Sequence, residues 1–264
     1  MKERVLSSVA LLAILIPCII VGGIPFAVLV ALAGLLSLYE VIKVIKSKSN
    51  IPLYIEIINY IILAFFILNN FYGGSVYSVI DYKLVSILVL ANLIPLVIIN
   101  NKEKYSLNTA FLLIGVILFL GVSFNLAVIL RSSGMASIIY IFLITICNDS
   151  FAYITGRLIG KHHFTSISPK KTIEGCVGGA VMGTLIPTIF YCTIFNPGNV
   201  FIVLLFTLLI SMTSQIGDLV FSYIKREYGV KDFSNLIPGH GGIVDRLDSI
   251  IFALLGFVLF SFIL

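Results

Sequence analysis

The chain has 264 residues, of which 59% are hydrophobic and only 11% charged, against roughly 25% charged in an ordinary soluble domain. A mean hydropathy of +1.14 without a long polar domain excludes a soluble globule and indicates an integral membrane protein. The net charge of +5 does not imply nucleic acid, because the basic residues stand at the borders of apolar segments, where orientation and anionic headgroups account for them.

A spanning helix needs about 20 mostly apolar residues. The polar breaks leave about nine such blocks, near 5–22, 24–44, 53–70, 83–100, 107–130, 135–155, 176–195, 200–224 and 247–264. The expected fold is therefore all-α, a polytopic membrane protein of about nine transmembrane helices. With nine crossings and a cytoplasmic N-terminus, 15 of the 17 Lys and Arg fall inside, leaving Lys83 and Arg131 outside. That asymmetry follows the positive-inside rule and predicts that both large polar loops face the cytoplasm. Lys2 and Arg4 before an apolar run mimic a signal peptide, but no small-residue cleavage site follows, so the first helix is expected to be retained. Cys18, Cys147, Cys176 and Cys192 lie in or beside apolar segments without metal-ligand spacing and read as small packing residues.

Residues 1–131 have short loops and no motif assignable to chemistry. They read as a scaffold, available as a homodimer interface, and Glu40 and Glu56 read there as interfacial carboxylates. No internal repeat of the transporter kind is found. Residues 132–264 differ, carrying polar residues inside helices and two polar loops, and they are expected to form the catalytic region.

Asp149 and Asp218 lie within apolar helices, where an ionisable group is a functional candidate by default. Asp218, Ser222 and Lys225 are spaced four then three apart and share a helix face, as do Asp245 and Asp248. The window 222–248 is the densest polar stretch, with four of the 17 Lys/Arg and four of the 12 Asp/Glu. Asp218, Asp245 and Asp248 suit Mg²⁺, which takes one or two carboxylates together with substrate phosphate oxygens and water. Salt bridges to Lys225, Arg226 and Arg246 are the competing reading, and both can hold. The run Pro238-Gly239-His240-Gly241-Gly242 precedes a helix, so its backbone N–H groups can approach an anion closely. With Lys225, Arg226, Lys231 and Arg246 nearby in sequence, this is the equipment of phosphoryl or nucleotidyl transfer. Ser168, Lys170, Lys171 and Thr172 precede another helix and suit a charged substrate. Glu174 in its first turn suits the helix dipole. His162 and His163 read as loop residues, and Gly175, Gly179 and Gly183 as a small-residue packing face.

Taken together, these residues resemble the phosphatidate cytidylyltransferase (CDP-diacylglycerol synthase) family. Its C-terminal pattern is matched by Ser222, Lys225-Arg226, Lys231-Asp232, Pro238, His240-Gly241-Gly242, Asp245-Arg246 and Asp248. The middle loop is similar through Asp149, Ala152-Tyr153, Gly156-Arg157, Gly160-Lys161, Ser168-Pro169-Lys170-Lys171-Thr172 and Glu174-Gly175. The likeness covers residues 140–255 well, while the first half fits only in hydrophobic character. It implies a Mg²⁺-dependent enzyme of phospholipid biosynthesis at the cytoplasmic face of the cell membrane, making CDP-diacylglycerol and pyrophosphate from CTP and phosphatidate. On that reading Asp218, Asp245, Asp248 and, with less support, Asp149 bind metal. Lys225 and Arg246 act with them at the reacting phosphates. Ser168, Lys170, Lys171, Thr172, Ser222, Arg226, His240, Gly241 and Gly242 hold substrate. A CTP-dependent lipid kinase or a cytidylyltransferase for another lipid phosphate is the nearest alternative. A transporter is the remote one, since it would place polar groups near the midplane of both halves.

Overall fold

The structure, a computed structural model, describes residues 2–69, 81–239 and 241–261. Its described residues form nine helices: α1 (Lys2–Val21), α2 (Gly23–Ile45), α3 (Leu53–Leu68), α4 (Tyr82–Ile99), α5 (Leu107–Ser133), α6 (Met135–Ile159), α7 (Ile173–Phe195), α8 (Val200–Glu227) and α9 (Val244–Phe260). No strand occurs among the described residues, only isolated bridges between His163 and Thr172 and between Ile237 and Gly241. An all-helical fold suits an apolar chain in lipid, because each helix satisfies its own backbone groups.

Six helices (α2, α4, α5, α6, α7 and α8) are long and apolar enough to cross a membrane. The apolar part of α1 and all of α3 are shorter, and α3, at 16 residues, rises only about 24 Å against a hydrocarbon core of about 30 Å. The helices begin close to the apolar blocks of the sequence, but several extend past them. Helix α8 reaches Glu227 over 28 residues, so Lys225 and Arg226 are helical. Local signals set the ends. Asp81 Oδ1 accepts from Lys83 N at the head of α4, Thr172 Oγ1 from Gly175 N at the head of α7, and Asn199 Oδ1 from Phe201 N at the head of α8. Each satisfies a backbone donor that the first turn cannot.

The chain divides into two compact units. The first contains Met1–Ser133 and Asp232–Arg246. Its core is built on α2, α3 and α5, with Leu38, Ile42, Ile55, Leu63, Phe66, Ile67, Leu113, Ile117 and Leu120 buried. Gly121 lets α5 approach closely, since a Cβ there would stand 3.0 Å from that of Phe66. Most polar groups buried in this unit are paired, as buried groups usually are, although Asn125 Oδ1 on α5 has no hydrogen-bond partner among the described residues. Asn59 and Asn92 exchange amide hydrogen bonds of 3.0 and 2.9 Å, and Tyr105 donates to Asn92 Oδ1 at 3.2 Å. Arg131, at the end of α5, donates to Ile19 O (2.6 Å) and Ile20 O (3.0 Å), carbonyls that α1 leaves unpaired at its C-terminus. Gly22, at φ +67°, makes the turn into α2, and a Cβ there would meet the Arg131 guanidinium.

The second unit contains Gly134–Lys231 and Leu247–Leu264. Helices α6 and α7 pack most closely, through the glycine face of α7. A Cβ at Gly175 would come within 2.7 Å of Ala152 O, and one at Gly179 within 2.7 Å of Asn148 O. Helix α8 completes the packing with the buried Tyr140–Thr207 hydroxyl pair (2.6 Å), and the edge-on pairs Phe206–Phe257 and Phe221–Phe252 join α9 to α8. The segment 232–246, although flanked by α8 and most of α9, belongs with the first unit.

Candidate active site

In the second unit a cavity of about 400 Å³ opens at one end of α6, α7 and α8. The helical repeat explains its lining. Asp149, Ala152, Tyr153, Gly156 and Arg157 occupy one face of α6, and Gln215 and Asp218 lie three apart on α8. Lys170, Lys171 and the capping residue Thr172 enter from the loop before α7, and Gly175 and Cys176 follow in its first turn. The glycine face of α7 brings this loop close to α6.

Three basic side chains, Arg157, Lys170 and Lys171, meet two carboxylates in the cavity. Lys171 Nζ is 2.5 Å from Asp218 Oδ2, with both side chains partly exposed. Its charge also attracts Asp149, whereas Asp149 and Asp218 repel each other. Asp248, 8% exposed, senses both aspartates and is attracted by the buried Lys225 of α8. Its Oδ1 accepts from Ser249 N at 2.7 Å. Ser222 Oγ donates weakly to Asp218 Oδ1 at 3.4 Å. The structure thus brings Asp218, Asp149, Lys170, Lys171 and Thr172 to one cavity. It also makes Thr172 a helix cap, so its hydroxyl oxygen already accepts a hydrogen bond. Ser168 O accepts from Lys171 N and closes the turn that presents this lysine. Arg226 is exposed and donates to Val230 O at 3.3 Å.

Gln215 carries no motif in the sequence, yet it is central here. Its Nε2 donates to Asn148 Oδ1 (2.7 Å) and Cys176 O (2.9 Å), while Asn148 Nδ2 donates to Ser211 O (2.9 Å). One amide clasp therefore joins α6, α7 and α8, one residue from Asp149 and three from Asp218. The available signal was an amide one helical turn before an aspartate in an apolar helix. Glu174 also does more than favour a helix dipole: its Oε2 accepts from Lys161 N and His162 N, and its Oε1 pairs with His162 Nδ1 at 2.6 Å. It ties the return of the loop to the head of α7.

The remaining candidates lie in the first unit. Asp245 Oδ2 accepts from Gly242 N (3.0 Å) and Phe233 N (2.9 Å), which binds the turn to the first residues of α9. Gly241 has φ +87°, a left-handed conformation suited to glycine. Arg246 is exposed, and His240 lies outside the described residues. Glu40 corrects the sequence reading. It has no exposed surface at all, in contrast to Glu56, which pairs with Lys46 at the border of α3.

Among the described residues, no three His, Cys, Asp or Glu side chains are grouped to hold a metal ion by themselves. Asp149, Asp218 and Asp248 nevertheless influence one another through their charges, and carboxylate oxygen is the donor type that Mg²⁺ takes alongside water and substrate oxygens.

The cytidylyltransferase family model matches residues 2–264. The chain is 34% identical over 257 residues to a phosphatidate cytidylyltransferase of Staphylococcus haemolyticus, covering 96% of each protein. Proteins of that name from Staphylococcus aureus and Staphylococcus epidermidis are 35% identical over 258 and 257 residues, again with 96% of each covered.

Proposed function

Because the chain belongs to the cytidylyltransferase family, we propose that it transfers the cytidylyl group of CTP to phosphatidate, giving CDP-diacylglycerol and pyrophosphate. The cavity in which Lys171 faces Asp218 and Asp149, with Lys170 and Arg157 on its rim, carries this reading. A phosphomonoester has a second pKa near ~6 and is largely dianionic at neutral pH, so the lipid phosphate is already a nucleophile. An oxygen of that phosphate attacks the α-phosphorus of CTP, and the bond to the bridging oxygen of the β-phosphate breaks. The protein has no proton to remove. Its task is to hold two anions together and stabilise the charge that develops on the leaving group.

Lys170, Lys171 and Arg157 supply cations for phosphate oxygens, and the Lys171–Asp218 pair fixes where one of them points. Asp149, Asp218 and Asp248 would hold Mg²⁺. When bound, the ion neutralises phosphate charge and acts as a Lewis acid. Lys225, Ser222, Arg226, Arg246, His240 and Gly241 are assigned to substrate phosphate on their chemistry, Gly242, whose N–H is taken by Asp245, to shaping the turn, and Asp245 to ordering that turn and to the metal set. The charge asymmetry of the loops supports about nine crossings, a cytoplasmic N-terminus and a site open to cytosolic CTP, with phosphatidate arriving from the bilayer.

Purified protein incubated with phosphatidate and CTP, labelled separately at the α- and γ-phosphates, tests the reaction. Label from the α position is expected in the lipid and label from the γ position in pyrophosphate. Label from the γ position in the lipid would establish a kinase instead.

A further inference from the structure

Glu40 is a fully buried carboxylate near the end of α2, in a part of the chain where the sequence shows no chemistry. Burying such a group is costly unless hydrogen bonds replace its water. Here they do. Ser234 Oγ donates to Oε1 at 2.6 Å, Ile243 N donates to Oε1 at 2.8 Å, and Val244 N donates to Oε2 at 2.9 Å. Val244 is the first residue of α9 and Ile243 the one before it, so these donors are N–H groups at the helix start that have no intrahelical partner. Glu40 supplies from a distant helix the cap that helices usually take from their own N-terminal residue.

The fit extends to the glycine turn. A Cβ at Gly242 would stand 2.5 Å from Glu40 Oε2 and 2.8 Å from its carboxyl carbon. Gly242 N meanwhile donates to Asp245, and Ser7 Oγ donates to Pro238 O at 3.1 Å. The N–H groups of residues 242, 243 and 244 are thus shared between two carboxylates.

We propose that Glu40 is a positioning residue for the nucleotide: it holds the described end of the glycine turn, Gly241 and Gly242, and the start of α9, with Asp245 and Arg246, in the conformation that receives the triphosphate. This rests on the reading of that turn as a holder of substrate phosphate. Glutamine at this position keeps one acceptor oxygen but turns an NH₂ toward a backbone N–H, so the segment must shift.

The test is steady-state kinetics of the full-length chain in mixed micelles, with CTP and phosphatidate varied in turn. Glu40→Gln is expected to raise KM for CTP about tenfold, from the loss of a charge-assisted hydrogen bond, and to leave KM for phosphatidate unchanged. A fall in kcat with both KM values unchanged would make Glu40 a purely structural residue and overturn the assignment, as would wild-type kinetics. If Glu40→Gln does not fold, Ser234→Ala is measured in its place, since it deletes only the hydroxyl donor. A raised KM for CTP then supports the proposal, and wild-type values overturn it. Failure of the wild-type chain to use CTP would instead remove the proposed function itself.

Discussion

Lys171 lies opposite two carboxylates, and that arrangement makes Asp218 the most informative single position in the second unit. Asp218→Asn removes the partner of Lys171 and one of the four charges proposed for Mg²⁺. We expect kcat to fall about a hundredfold or more, with the protein still eluting as a folded species in detergent. Chelation of divalent ions should abolish transfer by the wild-type chain, and added Mg²⁺ should restore it; activity that survives chelation would remove the metal from the reaction. Gln215 tests the support beneath these groups. Gln215→Leu leaves Asn148 Oδ1 and Cys176 O without their donor, a loss of about 1–3 kcal/mol, which should appear as a lower melting temperature. The sequence made Asp218 legible because a charge in an apolar helix is conspicuous. It did not disclose Glu40 or Gln215, because a buried carboxylate and a buried amide are recognised by what they touch, and their partners lie 194 and 67 residues away.

Among the elements, the α6–α7 pair decides whether the cavity exists. The glycines of α7 were readable from their four-residue spacing, and the structure gives that spacing its purpose, since α6 carries Asp149 on the neighbouring turn. Gly179→Val would drive a side chain against Asn148 O, so α7 must retreat. Overpacking of this kind costs about 1–3 kcal/mol. A lower melting temperature together with a loss of CMP transfer is expected, because the loop bearing Lys171 moves with the head of α7. Thr172→Ala should be milder, about 1 kcal/mol for a lost cap, unless the hydroxyl also serves substrate. Helix positions were legible from the polar breaks between apolar blocks, while the caps Asp81, Thr172 and Asn199 were recognised only in the structure. The assignment of residues 232–246 to the first unit was not legible, because nothing local to that loop announces Glu40 as its partner.

For the molecule as a whole, the charge pattern makes a prediction of its own. Single cysteines introduced at Lys48 and Lys104 should react with impermeant reagents only from the cytoplasmic side in intact cells, and one at Lys83 only from the outer side. The opposite result would invert the proposed topology. Hydropathy revealed the helices because lipid leaves little choice of backbone structure, but α3 shows that an apolar block need not be long enough to cross unaided.

Arg131 shows how such a census can mislead. The charge count places it among the two basic residues on the outer side, as though it were a weak signal against the preferred orientation. Its guanidinium instead bolts the end of α5 to the last carbonyls of α1. Arg131→Gln would make the loop charges more one-sided while loosening the hairpin that begins the chain. At this residue topogenic economy and mechanical integrity pull in opposite directions, and the position has been given to the bolt.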